Sequence, residues 1–250
     1  IRNLKINETN CSIIIPCKNE EENIIPISKN IKNFCQKTEI LFGDDNSSDK
    51  TSIKIHQLIQ NNKRKDLSLI YYKGPAKGKS FNVYKGIKES KGDIICIYDA
   101  DITVNFDDLE NLFNIFVNSN ADFLNCSRMI YPQNKNAMKK FNYFGNLFFA
   151  KLFSILLKMK ITDTLCGTKI FYRKDWKKIE KYVSKWGIKD QWGDFDLLIG
   201  AYRSNLKIIE VPVKYYDRLR GVTKMTSVIK NGLRMLIIII TAYYKLRIKI

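Results

Sequence analysis

Two carboxylates, Asp99 and Asp101, stand one residue apart at the end of the apolar run Ile94–Tyr98. A short β-branched run preceded by a turn residue, here Gly92, reads as a strand buried on both faces. In extended chain the side chains at i and i+2 point the same way, so Asp99 and Asp101 would face one side and be able to share a hard cation. The same triplet also reads as a solvated strand terminus ahead of a helix start at Asn105, Asp107 and Asp108, and by itself it does not separate the two. Asp44 and Asp45 close a second run, Glu39–Gly43, and Asp194 and Asp196 open the segment GDFDLL. On a helix that last pair lies about 200° apart, so at most one faces a site unless the first sits in the preceding loop. Cationic residues accompany the carboxylates: Lys77 and Lys79 in GPAKGKS, Arg128 at the end of ADFLNCSR, and Arg218, Arg220 and Lys224 in a basic loop. Two lysines just before a helix N-terminus suit phosphate, although the GxxxxGK[ST] spacing of a P-loop is absent.

These residues need elements to hold them. Cys11–Pro16, Glu39–Gly43, Leu67–Tyr72 and Ile94–Tyr98 read as strands and alternate with helical patterns, including one with Ile53, Ile55 and Ile59 and one with Phe81, Tyr84 and Ile87. Such alternation predicts a parallel sheet with its ligand site beyond the carboxyl ends of the strands, where Asn19, Asp45, Lys77, Asp99 and Asp101 would converge. Glu20, Glu21 and Glu22 fit a first helical turn, where they complement the dipole; Pro26 sits late for that start. Asn46 suits a positive φ, and Ser47, Ser48 or Asp49 a helix cap. DTLCGTKIFY, from Asp163, reads as a loop entering an edge strand, and Leu206–Tyr215 as a strand kept at an edge by Pro212. Residues 137–161 are strongly apolar but interrupted by Lys139, Lys140, Lys151, Lys158 and Lys160, which suits either a helical hairpin at a membrane surface or core helices. Leu233–Tyr244 is too short to span a bilayer, and with its basic tail suits a peripheral anchor on anionic lipid.

The chain of 250 residues is 45% apolar, enough for one large α/β domain, and its net charge of +18 points to an anionic partner. The basic residues form no nucleic-acid recognition motif, so nucleic acid is not expected. Six cysteines without CxxC pairs suggest free, buried thiols in a reducing compartment. His56 is the sole histidine, which excludes a histidine-based metal cluster. The chain starts with Ile1 in place of Met and shows no basic leader followed by an apolar run, so no secretory signal is expected and something upstream is expected to have been removed.

Taken together, IIIPCKNEEENI, FGDDNSSDKT, GPAKGKSFNVYKGI, DIICIYDAD, DTLCGTKIF and GDFDLLIGAYRSNLKIIEVPVKY resemble the inverting family 2 glycosyltransferases, in the family's order, across roughly residues 11–224. The resemblance implies an α/β GT-A fold, a mostly parallel sheet flanked by helices. Its glycosyltransferase domain would cover residues 1–226, with a nucleotide-sugar half to about 105 and an acceptor half after it, and an amphipathic helix would occupy 227–250. It further implies metal-dependent, inverting, single transfer from a UDP- or GDP-sugar to a polyprenyl phosphate or a cell-surface glycan precursor, on the inner face of the cytoplasmic membrane. Pro16, Asn19, Glu20 and Asp45 would line the nucleotide pocket, with Lys77 and Lys79 beside it. Asp99 would face the ribose or the metal, and Asp101 would ligate Mg2+ or Mn2+. Asp196 or Asp194 would be the acceptor-side base, and Arg128, Arg220 and Lys224 would hold phosphate. Asn46 replaces the family's usual Gly, Thr223 a common Ser, and the QxxRW signature of processive synthases is absent. A sugar nucleotidyltransferase would carry a glycine-rich, Arg-containing loop where this chain has CKNEEEN; a non-catalytic basic module would show no metal-dependent nucleotide affinity.

Overall fold

The computed structural model describes residues 5–132, 140–218 and 227–247. Its strands are β1 (Asn10–Cys17), β2 (Lys37–Asp44), β3 (Leu67–Lys73), β4 (Ile94–Ile97), β5 (Phe123–Ser127), β6 (Lys169–Tyr172) and β7 (Ile208–Pro212). They form one sheet in the order β3-β2-β1-β4-β6-β5-β7. All neighbours run parallel except β6, which is antiparallel to both β4 and β5. The helices are α1 (Ile24–Asn30), α2 (Thr51–Gln60), α3 (Lys79–Glu89), α4 (Phe106–Asn118), α5 (Lys140–Leu157), α6 (Trp176–Glu180), α7 (Asp194–Arg203) and α8 (Val228–Arg247).

The period-2 alternation of β1 divides the core. Ile13 and Ile15 join one cluster with Phe42, Ile24 of α1, Ile55 of α2 and Phe113 of α4. Ile14, pointing the other way, joins Val83 of α3, Phe153 of α5, Ile179 of α6, Phe195 of α7 and Ile238 of α8. The sheet is therefore covered on both faces, as its unbroken apolar strands require. The C-terminal helix α8 is part of that core, with Met235, Ile238, Ile239 and Ala242 buried. Among the described residues no helix is long and apolar enough to cross a membrane.

Several local expectations hold for a visible reason. Asn105 caps α4 by accepting the Asp107 N–H, and Asn46 adopts φ 61°. Pro212 lies on β7 at the sheet edge. Others change. The three glutamates precede α1, which begins at Ile24, so Pro26 is the third helical residue, where a missing N–H costs nothing. β6 is interior, not an edge strand: all four of its residues are buried between β4 and β5. Residues 140–157 form one helix, not a hairpin, and α5 pairs with α8 instead. Cys11 and Cys35 are joined by a disulfide, against the expectation of six free thiols; Cys17, Cys96, Cys126 and Cys166 are buried thiols outside that disulfide. The backbone bond from Gln36 N–H to the Thr9 carbonyl draws the loop before β2 onto the start of β1, bringing the two Cα atoms to 6.2 Å.

Candidate active site

β1, β2 and β4 are parallel neighbours, so the residues that follow them emerge on one side of the sheet. There Asp99 accepts an ion pair from Lys79, Nζ to Oδ1 2.6 Å. Burial alone would push the Asp99 carboxyl up, but Lys79, with Lys169 and Arg128 farther off, holds it below the ordinary carboxylate range. Burial likewise opposes the Lys79 charge, and Asp99 and Asp194 outweigh it, so its ammonium is held more firmly than usual. Gly167, in the loop before β6, lets this carboxylate lie against the backbone: a Cβ there would fall 2.1 Å from Asp99 Oδ2. Asp101 is nearly enclosed. Its Oδ1 accepts the Thr103 hydroxyl at 2.9 Å, and its Oδ2 meets Arg218 Nη2 at 2.9 Å.

The nucleotide-side residues divide into two groups. Asp45, just past β2, is buried and accepts the Gly78 N–H at 2.8 Å, which ties the lysine loop to the sheet; Gly78 takes φ 95° to make that turn. The second oxygen of Asp45 is buried with no hydrogen-bond partner among the described residues. Pro16 sits on β1 opposite Gly43. Asn19 and Glu20 mainly hold backbone. Asn19 Oδ1 accepts the Ser48 N–H at 2.8 Å, while Glu20 receives the Asn23 amide and donates its own N–H to Thr51. Lys77 is exposed, and its carbonyl accepts the Lys189 ammonium.

On the other side of β4, Arg128 and Asp99 line the same small cavity, together with Thr103 and Gly167. Arg128 is clamped by Asp163 in a two-pronged pair, Nε to Oδ2 2.7 Å and Nη2 to Oδ1 2.9 Å. Asp163 is fully buried and also accepts from Asn146 of α5 and from the Leu165 N–H. Burial would raise its carboxyl, but Arg128 and these donors bring it down to about 2. Arg220 and Lys224 lie outside the described residues.

The pair opening α7 is split by the helix, as the 200° spacing demands. Asp194 forms a buried ion pair with Lys169 of β6, Oδ1 to Nζ 2.6 Å, and its charge reaches Lys79. Asp196 turns the other way, accepting the Tyr84 hydroxyl at 2.9 Å and the Ser184 N–H at 3.1 Å, with its remaining oxygen unpartnered among the described residues. The structure thus brings Asp194, not Asp196, toward the Lys79–Asp99 cluster. Burial, aided by Asp190, raises the Asp196 carboxyl to about 7. Since the unfolded carboxyl releases its proton near 3.8, the folded state binds the extra proton between the two values and loses stability as pH rises through that window. Asp196→Asn is therefore expected to raise the melting temperature at about pH 8 and leave it unchanged at about pH 4. Thermal melts of both proteins across that range check it.

Asp99 and Asp101 lie in the turn after β4, each paired with its own cation, Lys79 and Arg218; their oxygens are of the kind that could ligate a divalent ion completed by a bound diphosphate, with those cations yielding. Among the described residues no group of three His, Cys, Asp or Glu forms a self-sufficient metal cage. Sequence reasoning missed Asp163, Lys169, Asp190 and Tyr84 as parts of the site, and it gave Arg218 no partner. The first two are the charged ends of DTLCGTK, a segment that reads as a loop entering an edge strand, which gives no sign that either end is buried.

A mostly parallel sheet covered by helices on both faces, with cations and carboxylates at its strand ends, is the architecture of a GT-A-type α/β fold. Residues 12–180 match the family model for glycosyl transferase family 2, and the chain belongs to that family. A low-salt glycan biosynthesis hexosyltransferase of Haloferax volcanii is 23% identical over 83% of this chain and 48% of its own length. A dolichyl-phosphate β-glucosyltransferase of Trichomonas vaginalis is 24% identical over 91% of this chain and 70% of its own. The human dolichyl-phosphate β-glucosyltransferase is 25% identical over 82% and 67%. The chain thus spans about half the length of the Haloferax relative. Among solved structures, glucosyl-3-phosphoglycerate synthase of Mycobacterium tuberculosis with Mn2+ and UDP-glucose superposes with a TM-score of 0.66 at 12% identity, covering 94% of this chain and 79% of that one. That likeness shows the fold.

Proposed function

We propose that this chain catalyses single, inverting, metal-assisted transfer of a sugar from a UDP- or GDP-sugar to a polyprenyl phosphate. The observation that carries the reading is the convergence of Asp45, Lys79, Asp99, Asp101 and Arg128 at adjoining strand ends, with Asp194 close behind. Relatives named for dolichyl-phosphate glucosyl transfer support the acceptor class.

In this reading the unpartnered oxygen of Asp45 receives an N–H of the nucleotide base, beside Pro16, Asn19 and Glu20. Lys77 and Lys79 flank the diphosphate. Asp101 and Asp99 would hold Mg2+ or Mn2+, and a bound ion would supply positive charge toward a departing nucleoside diphosphate in place of a general acid. Arg128, with Arg220 and Lys224, receives the acceptor phosphate. A phosphate monoester is already largely ionised at neutral pH, so its placement by cations matters more than a general base. This suits a site whose nearer carboxylate, Asp194, is neutralised by Lys169. Asp194 acts by fixing Lys169, and Asp196 stays outside the reacting groups.

Incubating the purified chain with UDP-, GDP- and dTDP-sugars, polyprenyl phosphate and either cation is expected to yield a glycosyl phospholipid of inverted anomeric configuration. No product with any donor would sink the reading. Asp196→Asn is expected to keep near-normal turnover, because the carboxylate faces Tyr84 and Ser184 and not the cleft; a severe loss would place it among the reacting groups. Gly167→Ala is expected to displace Asp99 and lower turnover about a hundredfold, with only a small change in melting temperature. Steady-state kinetics and a thermal melt on the same preparation check both halves.

A further inference from the structure

The exposed faces of α5 and α8 have a common pattern. On α8 the exposed apolar residues Ile229, Leu233, Ile237, Ile240 and Tyr244 recur at helical spacing and fall within about 80° of arc at 100° per residue. Lys230, Arg234 and Lys245 follow along one border of this stripe, at about 100° to 160° on the same wheel. On α5, Phe144, Leu147, Phe148 and Ile155 are exposed on a similarly narrow stripe that also holds Lys151. Neither helix contains an Asp or Glu. The two pack against each other and bury their opposite faces in the same core, so their exposed stripes turn outward together.

Both helices also grip the cleft. Asn146 of α5 donates to Asp163, the carboxylate that clamps Arg128. From α8, Asn231 accepts from and Arg234 donates to the Gln191 side chain, and the backbone carbonyl of Gln191 receives the Ser80 N–H beside Lys79.

We propose that α5 and α8 form one docking face for an anionic lipid bilayer, from which an acceptor phosphate at the bilayer surface reaches Arg128. An apolar stripe bordered by cations and free of acids matches the boundary between acyl chains and anionic headgroups. A second copy of the chain fits worse, because a two-fold contact would set these cations against their own kind. The delivery of acceptor rests on the function proposed above; the docking itself does not.

The test is co-sedimentation of the full chain with phosphatidylcholine vesicles with or without phosphatidylglycerol, with no donor or acceptor present. Binding is expected to the phosphatidylglycerol vesicles and to weaken with salt. Ile237→Glu with Ile240→Glu, and separately Phe148→Glu with Ile155→Glu, are expected to lower partitioning at least tenfold while Mn2+-dependent UDP binding stays unchanged. Lys151→Gln with Lys230→Gln is expected to cost about fivefold per charge removed, on anionic vesicles only. Absence of binding to phosphatidylglycerol vesicles overturns the proposal. So does a dimer by light scattering that the glutamate variants convert to monomer, which would make this face a subunit interface. Vesicle binding without any sugar transfer would overturn the functional reading and leave the docking face standing.

Discussion

Asp101→Ala is expected to lower sugar transfer by about three orders of magnitude while shifting the melting temperature by only a few degrees. In the proposed reaction its carboxylate would hold the divalent ion, so its loss would take positive charge away from the place where the leaving diphosphate builds negative charge. The stability effect is small because its partners are modest: the Thr103 hydroxyl and Arg218, whose side chain is 29% exposed. A pair of that kind is worth on the order of 1 kcal/mol or less. The variant should also lose the Mn2+ dependence of UDP affinity, measured calorimetrically without turnover. Near-wild-type transfer by Asp101→Ala, with or without metal, would refute the assignment.

Asp163→Asn is expected to destabilise the fold by about 3 kcal/mol and to disable acceptor use together. The substitution keeps the shape but leaves the Arg128 guanidinium, only 13% exposed, without its counter-charge. Arg128→Gln on the Asp163→Asn background should recover part of the lost stability, since both ends of the pair are then neutral; strict additivity of the two changes would refute the coupling. The pH dependence has a definite sign. The Asp163 carboxyl sits at about 2 in the folded state against 3.8 in the unfolded chain, so its contribution is complete above about pH 4 and fades as pH falls toward 2. Wild type should therefore lose stability faster than Asp163→Asn on acidification through that window, as urea melts at successive pH values would show.

The parallel sheet, the strand ends and the roster of charged residues were legible in the residues themselves. Runs such as Ile13–Ile15 and Ile94–Ile97 admit few readings other than buried strands, and the groups that follow parallel strands must share a side. The glutamates before α1 and the place of β6 were not legible. A four-residue apolar strand looks the same at an edge as in the interior, and its neighbours are chosen by distant chain.

The split between Asp194 and Asp196 shows where that boundary falls. The sequence by itself determined that a helix beginning at Asp194 sends the two carboxylates to different sides, because 3.6 residues per turn leave no other outcome. Which of them meets the cleft was decided by tertiary structure alone: β6 carries Lys169 to Asp194, and α3 carries Tyr84 to Asp196. The same holds for Arg128 and Asp163, and for Cys11 and Cys35. A local pattern records each residue's direction, but partners far apart in the chain are matched only when the sheet order and the layers over it bring them to bonding distance.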